Sequence, residues 1–96
     1  MSKLSFEEAE KHLDKLPKWE LVDETIHRNY EFKSFEDAIK FIDALAKFAS
    51  KLNHHPDLTN SYNKVSVSLT THSASGLTLK DFELAKIAEK TAEKFS

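Results

Sequence analysis

Hydrophobic and polar positions along this chain repeat with two different periods, and the changes between them predict where the elements lie. In residues 4–16, apolar side chains recur every three or four positions, as on one face of an amphipathic helix. Residues 19–22 and 26–32 follow, and in the second stretch apolar and polar residues alternate. A period of two indicates strands of an antiparallel sheet with one packed face and one wet face. Arg28 is the polar exception on the apolar side, so we expect it near an edge of the sheet.

The second half of the chain repeats this pattern around a longer helix. Eleven of the 18 residues in 35–52 are apolar, although a surface helix needs an apolar face of only about 100°. The excess predicts that this helix also packs against another subunit. Strands are predicted at residues 58–62 and 65–71, followed by a last helix. Each predicted helix is preceded by a hydroxyl residue with an acidic residue three positions later, the pattern of a capping box: Ser5, Ser34 and Thr78.

The predicted order is helix, strand, strand, helix, strand, strand, helix, with short connections throughout. This order predicts an α+β fold, in which a four-stranded antiparallel sheet carries three helices on one face. We expect residues 1–96 to form a single domain, because a chain of this length supports one core and no linker or repeat interrupts the pattern.

Composition narrows the classes of function. A single glycine argues against phosphate-binding loops and dinucleotide fingerprints. The net charge is −2 with lysines interleaved among acids, so we expect no direct nucleic-acid binding. The lack of cysteine excludes disulfides and thiolate metal sites. No segment resembles a signal peptide, and no apolar run reaches about 20 residues, so we expect a cytoplasmic protein without membrane contact.

The candidate chemistry is concentrated in residues 51–81, which hold three of the five histidines. His54 and His55 are adjacent at the predicted helix end, and His72 follows a predicted strand. Because imidazole titrates near neutral pH, such a cluster favours proton transfer. Three imidazoles could also bind zinc. However, adjacent histidines in an extended segment tend to point apart and no acidic ligand lies alongside, so we predict no metal site.

Other polar residues have ordinary structural explanations. Asp81 stands at the third position of a predicted helix, where an acidic residue caps the N-terminus. Trp19 is expected in the core or in a pocket wall. His12 and His27 fall on polar faces of a helix and a strand, so we expect both to be solvated surface residues.

The segment from His54 to Asp81 resembles the signature of the pterin-4a-carbinolamine dehydratases, known in animals also as dimerisation cofactors of a homeodomain transcription factor. The residues that match the family spacings are His54, His55, Pro56, Tyr62, His72 and Asp81. The element order and the tryptophan before the first strand extend the resemblance over essentially the whole chain. Two positions depart from it: Ser50 stands where the family usually has glutamate, and Asn53 where relatives often have aspartate.

The resemblance implies a lyase that dehydrates 4a-hydroxytetrahydropterin to quinonoid dihydropterin during tetrahydropterin recycling, without a cofactor. It implies that His54 and His72 are the main proton-transfer pair, that His55 assists, and that Asp81 orients an imidazole. It further implies a homodimer or homotetramer, formed through the sheet edges and the long helix. The pterin-binding residues expected from it are Trp19, Ser50, Asn53, Pro56, Thr70 and Thr71.

Two other functions stay open at this point. One is a non-catalytic oligomeric interaction module of the transcriptional dimerisation-cofactor type. The other is a pterin-binding accessory in molybdenum-cofactor or folate metabolism. The sequence also leaves open which histidine is the acid, which is the base, and which pterin is the physiological substrate.

Overall fold

The structure is a computed structural model that describes residues 2–96. Over these residues it contains three α-helices, four strands and one short 3₁₀ turn, His72–Ala74. The predicted α+β class and the order α-β-β-α-β-β-α are confirmed. The elements are α1 (Phe6–Leu13), β1 (Glu20–Val22), β2 (Thr25–Glu31), α2 (Phe35–Leu52), β3 (Asp57–Ser61), β4 (Lys64–Leu69) and α3 (Leu79–Lys94).

The four strands form one antiparallel sheet in the order β1-β2-β4-β3. Burial alternates along β4, where Val65, Val67 and Leu69 are buried while Ser66 and Ser68 are partly exposed. The period of two in the sequence therefore marks the face that the helices cover. The opposite face of the sheet is polar and partly exposed to solvent.

Aromatic and aliphatic side chains from the sheet and from α2 meet in one core. The ring of Phe41 lies 4.9 Å from that of Tyr30 and 5.0 Å from that of Phe32, measured between ring centroids. Leu45 of α2 and Phe82 of α3 are almost fully buried in the same cluster. Burying a side chain of this size contributes about 1.5–3 kcal/mol, so this cluster holds α2 and α3 against the sheet.

Helix α1 begins at its predicted capping residue but ends earlier than the apolar pattern predicts. The capping box predicted at Ser5 is present, with Glu8 as its acidic member. However, α1 ends at Leu13 and not at Leu16. The backbone N–H of Leu16 bonds to the carbonyl of Leu13, a tighter turn than an α-helix makes. Pro17 follows directly and cannot continue a helix.

Arg28 lies just beyond the part of β2 that β1 covers, in agreement with the expectation that it is near an edge of the sheet. The pairing of β1 with β2 ends at His27, and Arg28 pairs across the sheet with Val67 of β4. Its guanidinium is accommodated by Glu89 of α3, at 3.1 Å between Nε and Oε2. The partner lies 61 positions later in the chain, so the sequence pattern around β2 could not indicate it.

No helix within residues 2–96 is long and apolar enough to cross a membrane.

Candidate active site

The end of α2 directs His54 into the protein. Asn53, directly after the helix, has a left-handed backbone with φ of 52° and ψ of 43°. Its N–H bonds to the carbonyl of Ser50, and the N–H of His54 bonds to that of Ala49. These two bonds form a Schellman motif, which reverses the chain at a helix C-terminus. As a result the His54 side chain is only 9% exposed.

The buried carboxylate of Asp81 contacts the His54 ring. His54 Nε2 lies 2.5 Å from Asp81 Oδ1, and Asp81 is fully buried. The other carboxylate oxygen, Oδ2, accepts hydrogen bonds from the Thr71 hydroxyl at 2.8 Å and from the backbone N–H of Thr78 at 2.9 Å. A buried carboxylate needs such partners, because leaving its charge unpaired away from water is costly. Asp81 therefore caps α3 and contacts an imidazole at the same time.

His55 and His72 are exposed, and each is adjacent in sequence to a member of this cluster, His55 to His54 and His72 to Thr71. His72 follows Thr71 directly and begins the 3₁₀ turn. The loop that carries it is closed by paired backbone bonds between Thr71 and Gly76. Thr71 thus joins the His72 loop to Asp81, which in turn contacts His54. His54, His55 and His72 are therefore connected through hydrogen bonds to Asp81 and through neighbouring positions in the sequence.

The residues expected to bind a pterin fall into two groups. Ser50, Asn53 and Pro56 surround the exit from α2, beside His54 and His55, and Thr71 contacts Asp81. Thr70 instead donates its hydroxyl to the carbonyl of Glu24, in the turn between β1 and β2.

Trp19 is buried, and its indole N–H donates to Glu89 at 3.2 Å. Glu89 lies eight positions after Asp81 on α3, about 12 Å along the helix axis. The polar atoms of Trp19 and Thr70 are thus engaged away from the His54–Asp81 pair, and their assignment to pterin binding stays a prediction.

Two features of this region were missed from the sequence. Thr78, expected only as a helix cap, also places its hydroxyl 2.9 Å from that of Thr71. His12, expected to be solvated, is half-buried, and its ring stacks on Phe82 with centroids 5.0 Å apart. Neither contact has a local signal, because the partner residues lie on separate elements.

Within residues 2–96, no group of three or more His, Cys, Asp or Glu side chains is placed to hold a metal ion. The arrangement offers instead one imidazole in contact with a buried carboxylate and two exposed imidazoles, one adjacent in sequence to His54 and the other to Thr71. Such groups can accept and donate protons near neutral pH.

The sequence profile of a known family matches residues 2–91, and that family is described as pterin 4 alpha carbinolamine dehydratase. The chain belongs to this family. A relative from Picosynechococcus sp., named provisionally as a pterin-4-alpha-carbinolamine dehydratase, is 48% identical over 84 residues. The aligned region covers 88% of this chain and 91% of the relative. Membership of the pterin-4a-carbinolamine dehydratase family supports a dehydratase-type function on a pterin.

The fold of this chain also matches solved structures of other proteins. The crystal structure of a transcriptional coactivator/pterin dehydratase from Brucella melitensis matches with a TM-score of 0.92 and 39% identity, covering 95% of this chain and 99% of that one. A pterin dehydratase-like protein that is a RuBisCO assembly factor in the alpha-carboxysome matches with a TM-score of 0.65, covering 77% of this chain and 86% of that one. At 17% identity, this second similarity shows the shared fold alone.

Proposed function

We propose that this protein dehydrates 4a-hydroxytetrahydropterins to quinonoid dihydropterins, a step in the recycling of tetrahydropterin cofactors. The observation that carries the proposal is the contact between His54 and Asp81, two residues 27 positions apart that both belong to the family signature. A surface histidine would need no buried carboxylate, whereas a proton-transfer group has to be held in one orientation.

The reaction requires two proton transfers around one small heterocycle. The C4a–O bond breaks, and the departing oxygen takes a proton from a general acid and leaves as water. A base removes the proton from N5, and the electron pair released there forms the C4a=N5 double bond. The substrate supplies all the electrons, so the proposed step uses neither a cofactor nor a metal.

His54 and His72 are the proposed proton-transfer pair, with His55 assisting or positioning the ring. Nε2 of His54 faces Oδ1 of Asp81, which leaves Nδ1 of that ring for exchange with the pterin. His72 is carried by the loop that follows Thr71, whose hydroxyl donates to Asp81. Which of the two acts on C4a–OH and which on N5 stays open.

The proposed binding residues around the exit from α2 are Ser50, Asn53 and Pro56. Ser50 is exposed on the last turn of α2, where the family usually has an acid. Its hydroxyl can donate or accept one hydrogen bond but carries no charge. We therefore propose that the substitution affects pterin affinity more than the proton transfers.

Stopped-flow assays with chemically generated 4a-hydroxytetrahydropterins carrying different C6 side chains test this function. We expect clear acceleration over the spontaneous dehydration near neutral and mildly alkaline pH. His54→Ala and His72→Ala should each lower kcat by about 10²–10⁴-fold, the typical contribution of general acid–base catalysis. His27→Ala is the matched control, because His27 Nδ1 contacts Ser68 at 2.7 Å on the sheet face opposite the helices. No acceleration with any pterin would overturn the proposal.

We further propose that the protein is a homodimer or a homotetramer. The support is an apolar strip that α2 leaves at the surface. Phe35 and Ile39 are 43% and 41% exposed, and Ala46 is exposed, while Ile42 between them is half-buried. These positions share one face of a helix, because they are spaced by four, three and four residues.

A second candidate function is that of a non-catalytic interaction module. It is favoured by the similarity to the Brucella protein, which is described as both a transcriptional coactivator and a pterin dehydratase. The double variant His54→Ala/His72→Ala separates the two functions. If dehydration is the purpose, it disappears while the oligomer survives. If dehydration is absent from the wild type and the double variant keeps its biological task, the module is favoured. A pterin accessory would bind pterins without turning them over.

A further inference from the structure

Two buried threonine hydroxyls stand behind the His54–Asp81 pair. Thr78 is fully buried and Thr71 is 8% exposed. Their Oγ1 atoms lie 2.9 Å apart, and Thr71 Oγ1 lies 2.8 Å from Asp81 Oδ2. The three side chains therefore form a continuous hydrogen-bonded chain from the start of α3 to the carboxylate.

The direction of these hydrogen bonds follows from a count of protons. A hydroxyl has one hydrogen to donate, and an ionised carboxylate can only accept. Thr71 gives its hydrogen to Asp81 and must therefore accept the hydrogen of Thr78. Asp81 Oδ2 also accepts the backbone N–H of Thr78. Oδ2 thus receives two donors, which favours the negative charge on Asp81.

The state of the carboxylate decides which nitrogen of His54 carries the proton. An ionised Asp81 can pair with His54 only if Nε2 bears hydrogen, because the two groups meet through Oδ1 and Nε2. In the neutral ring, Nδ1 is then the unprotonated nitrogen. If Oδ1 of Asp81 carried the proton instead, it would donate to Nε2, and the hydrogen of the neutral His54 ring would lie on Nδ1. The two hydrogen bonds that Oδ2 accepts disfavour this protonated carboxyl group.

We propose that Thr71 and Thr78 are positioning residues that hold Asp81 ionised, fix the Nε2–H form of His54 and present Nδ1 to the substrate. This inference rests on the dehydratase function proposed above. It also changes the role expected for Thr71. Its hydroxyl donates to Asp81 and accepts from Thr78, so it supports the site from behind and does not contact the pterin.

Ring nitrogen NMR on the wild-type protein without substrate gives the first test. Long-range proton–nitrogen correlation spectra distinguish protonated from unprotonated ring nitrogens. We expect His54 to show the proton on Nε2 and none on Nδ1 when the ring is neutral. A proton on Nδ1 would overturn the inference, whether or not the protein dehydrates pterins.

Thr71→Val, Thr71→Ser and a matched control give the second test. Thr71→Val should let the two ring forms of His54 mix and lower kcat on the order of tenfold or more with little change in KM, while Thr71→Ser should restore both. The control is Thr91→Val, which removes a buried hydroxyl that bonds to the Ile87 carbonyl within α3. It should leave the His54 signals and kcat unchanged.

The kinetic result separates this inference from its alternatives. A Thr71→Val enzyme with raised KM and unchanged kcat would show a substrate contact and contradict the positioning role. Unchanged His54 signals in Thr71→Val would do the same. Inactivity of the wild type would instead defeat the dehydratase function, while the spectra of His54 would still decide the ring form.

Discussion

Tyr30 lies in a second polar cluster, separate from the candidate active site. Its hydroxyl donates to the carboxylate of Glu89, which also accepts from Arg28 and Trp19. Burial first, and the hydrogen bond to Glu89 second, raise the pKa of the Tyr30 hydroxyl well above its ordinary value. A group whose pKa is raised on folding contributes stability below its unfolded pKa and loses it as the pH rises further.

Tyr30→Phe should therefore lower the free energy of unfolding by about 1.5–3 kcal/mol at neutral pH, because a hydrogen bond to a charged acceptor is removed. Above a pH of about 10, the unfolded tyrosine ionises while the folded one resists, so the wild type loses stability that the phenylalanine variant does not. The difference between the two proteins should narrow there. Urea unfolding at neutral and alkaline pH measures both effects.

Tyr62→Phe is the control for this measurement, since Tyr62 is 70% exposed in the turn between β3 and β4. It should leave the stability unchanged at neutral pH. A constant difference between wild type and Tyr30→Phe through the alkaline range would contradict the assigned cause.

At the scale of elements, the end of α2 combines a structural and a proposed binding role in one residue. Asn53 holds the left-handed conformation that turns the chain towards His54, and asparagine tolerates this conformation better than most residues. It is also the position where relatives often have aspartate. The backbone and the side chain of Asn53 can be tested separately, because glycine keeps the first and removes the second.

Asn53→Gly should leave the free energy of unfolding within about 0.5 kcal/mol of the wild type, and Asn53→Ala should lower it by about 1 kcal/mol. If the amide also binds the pterin, both variants raise KM by the same factor. If only the backbone matters, Asn53→Gly keeps the wild-type KM. Thermal or urea unfolding together with the dehydration assay checks both, and an Asn53→Ala protein as stable as the wild type would contradict the strain argument.

The same scale shows what the sequence can and cannot predict. Periodicity and capping residues located every helix and strand, because those signals lie within a few positions of one another. Strand ends shifted by one or two residues: β4 stops at Leu69, since Thr71 pairs with Gly76 and closes the His72 loop.

The residue pattern could not predict contacts between elements that are distant in the sequence. Arg28 finds Glu89, and Thr71 finds both Asp81 and Thr78, only after the chain has folded. The expected link between Asp81 and an imidazole came from the family resemblance, because nothing local distinguishes Asp81 from an ordinary helix cap.

At the scale of the whole molecule, the apolar face of α2 is wider than the part of it that this chain buries. Ala38, Phe41, Leu45 and Ala49 are buried in the core formed by the sheet and α3. Phe35 and Ile39 lie on a flank that the chain leaves 43% and 41% exposed. Burying the exposed two-fifths of each side chain between copies would contribute about 0.6–1.2 kcal/mol each, which favours association through α2.

Light scattering on the purified protein tests this association. We expect a molar mass two or four times the 11.0 kDa of one chain. Ile39→Asp should shift the mass towards one chain, because it would place a carboxylate in an apolar contact, where an unpaired charge is costly. Lys86→Asp, on an exposed position of α3, is the control and should keep the wild-type mass. A wild-type mass of one chain would contradict the oligomer. An unchanged mass in Ile39→Asp would indicate that the interface is formed by the edge strands β1 and β3. The outer backbone groups of these strands have no partner strand within residues 2–96.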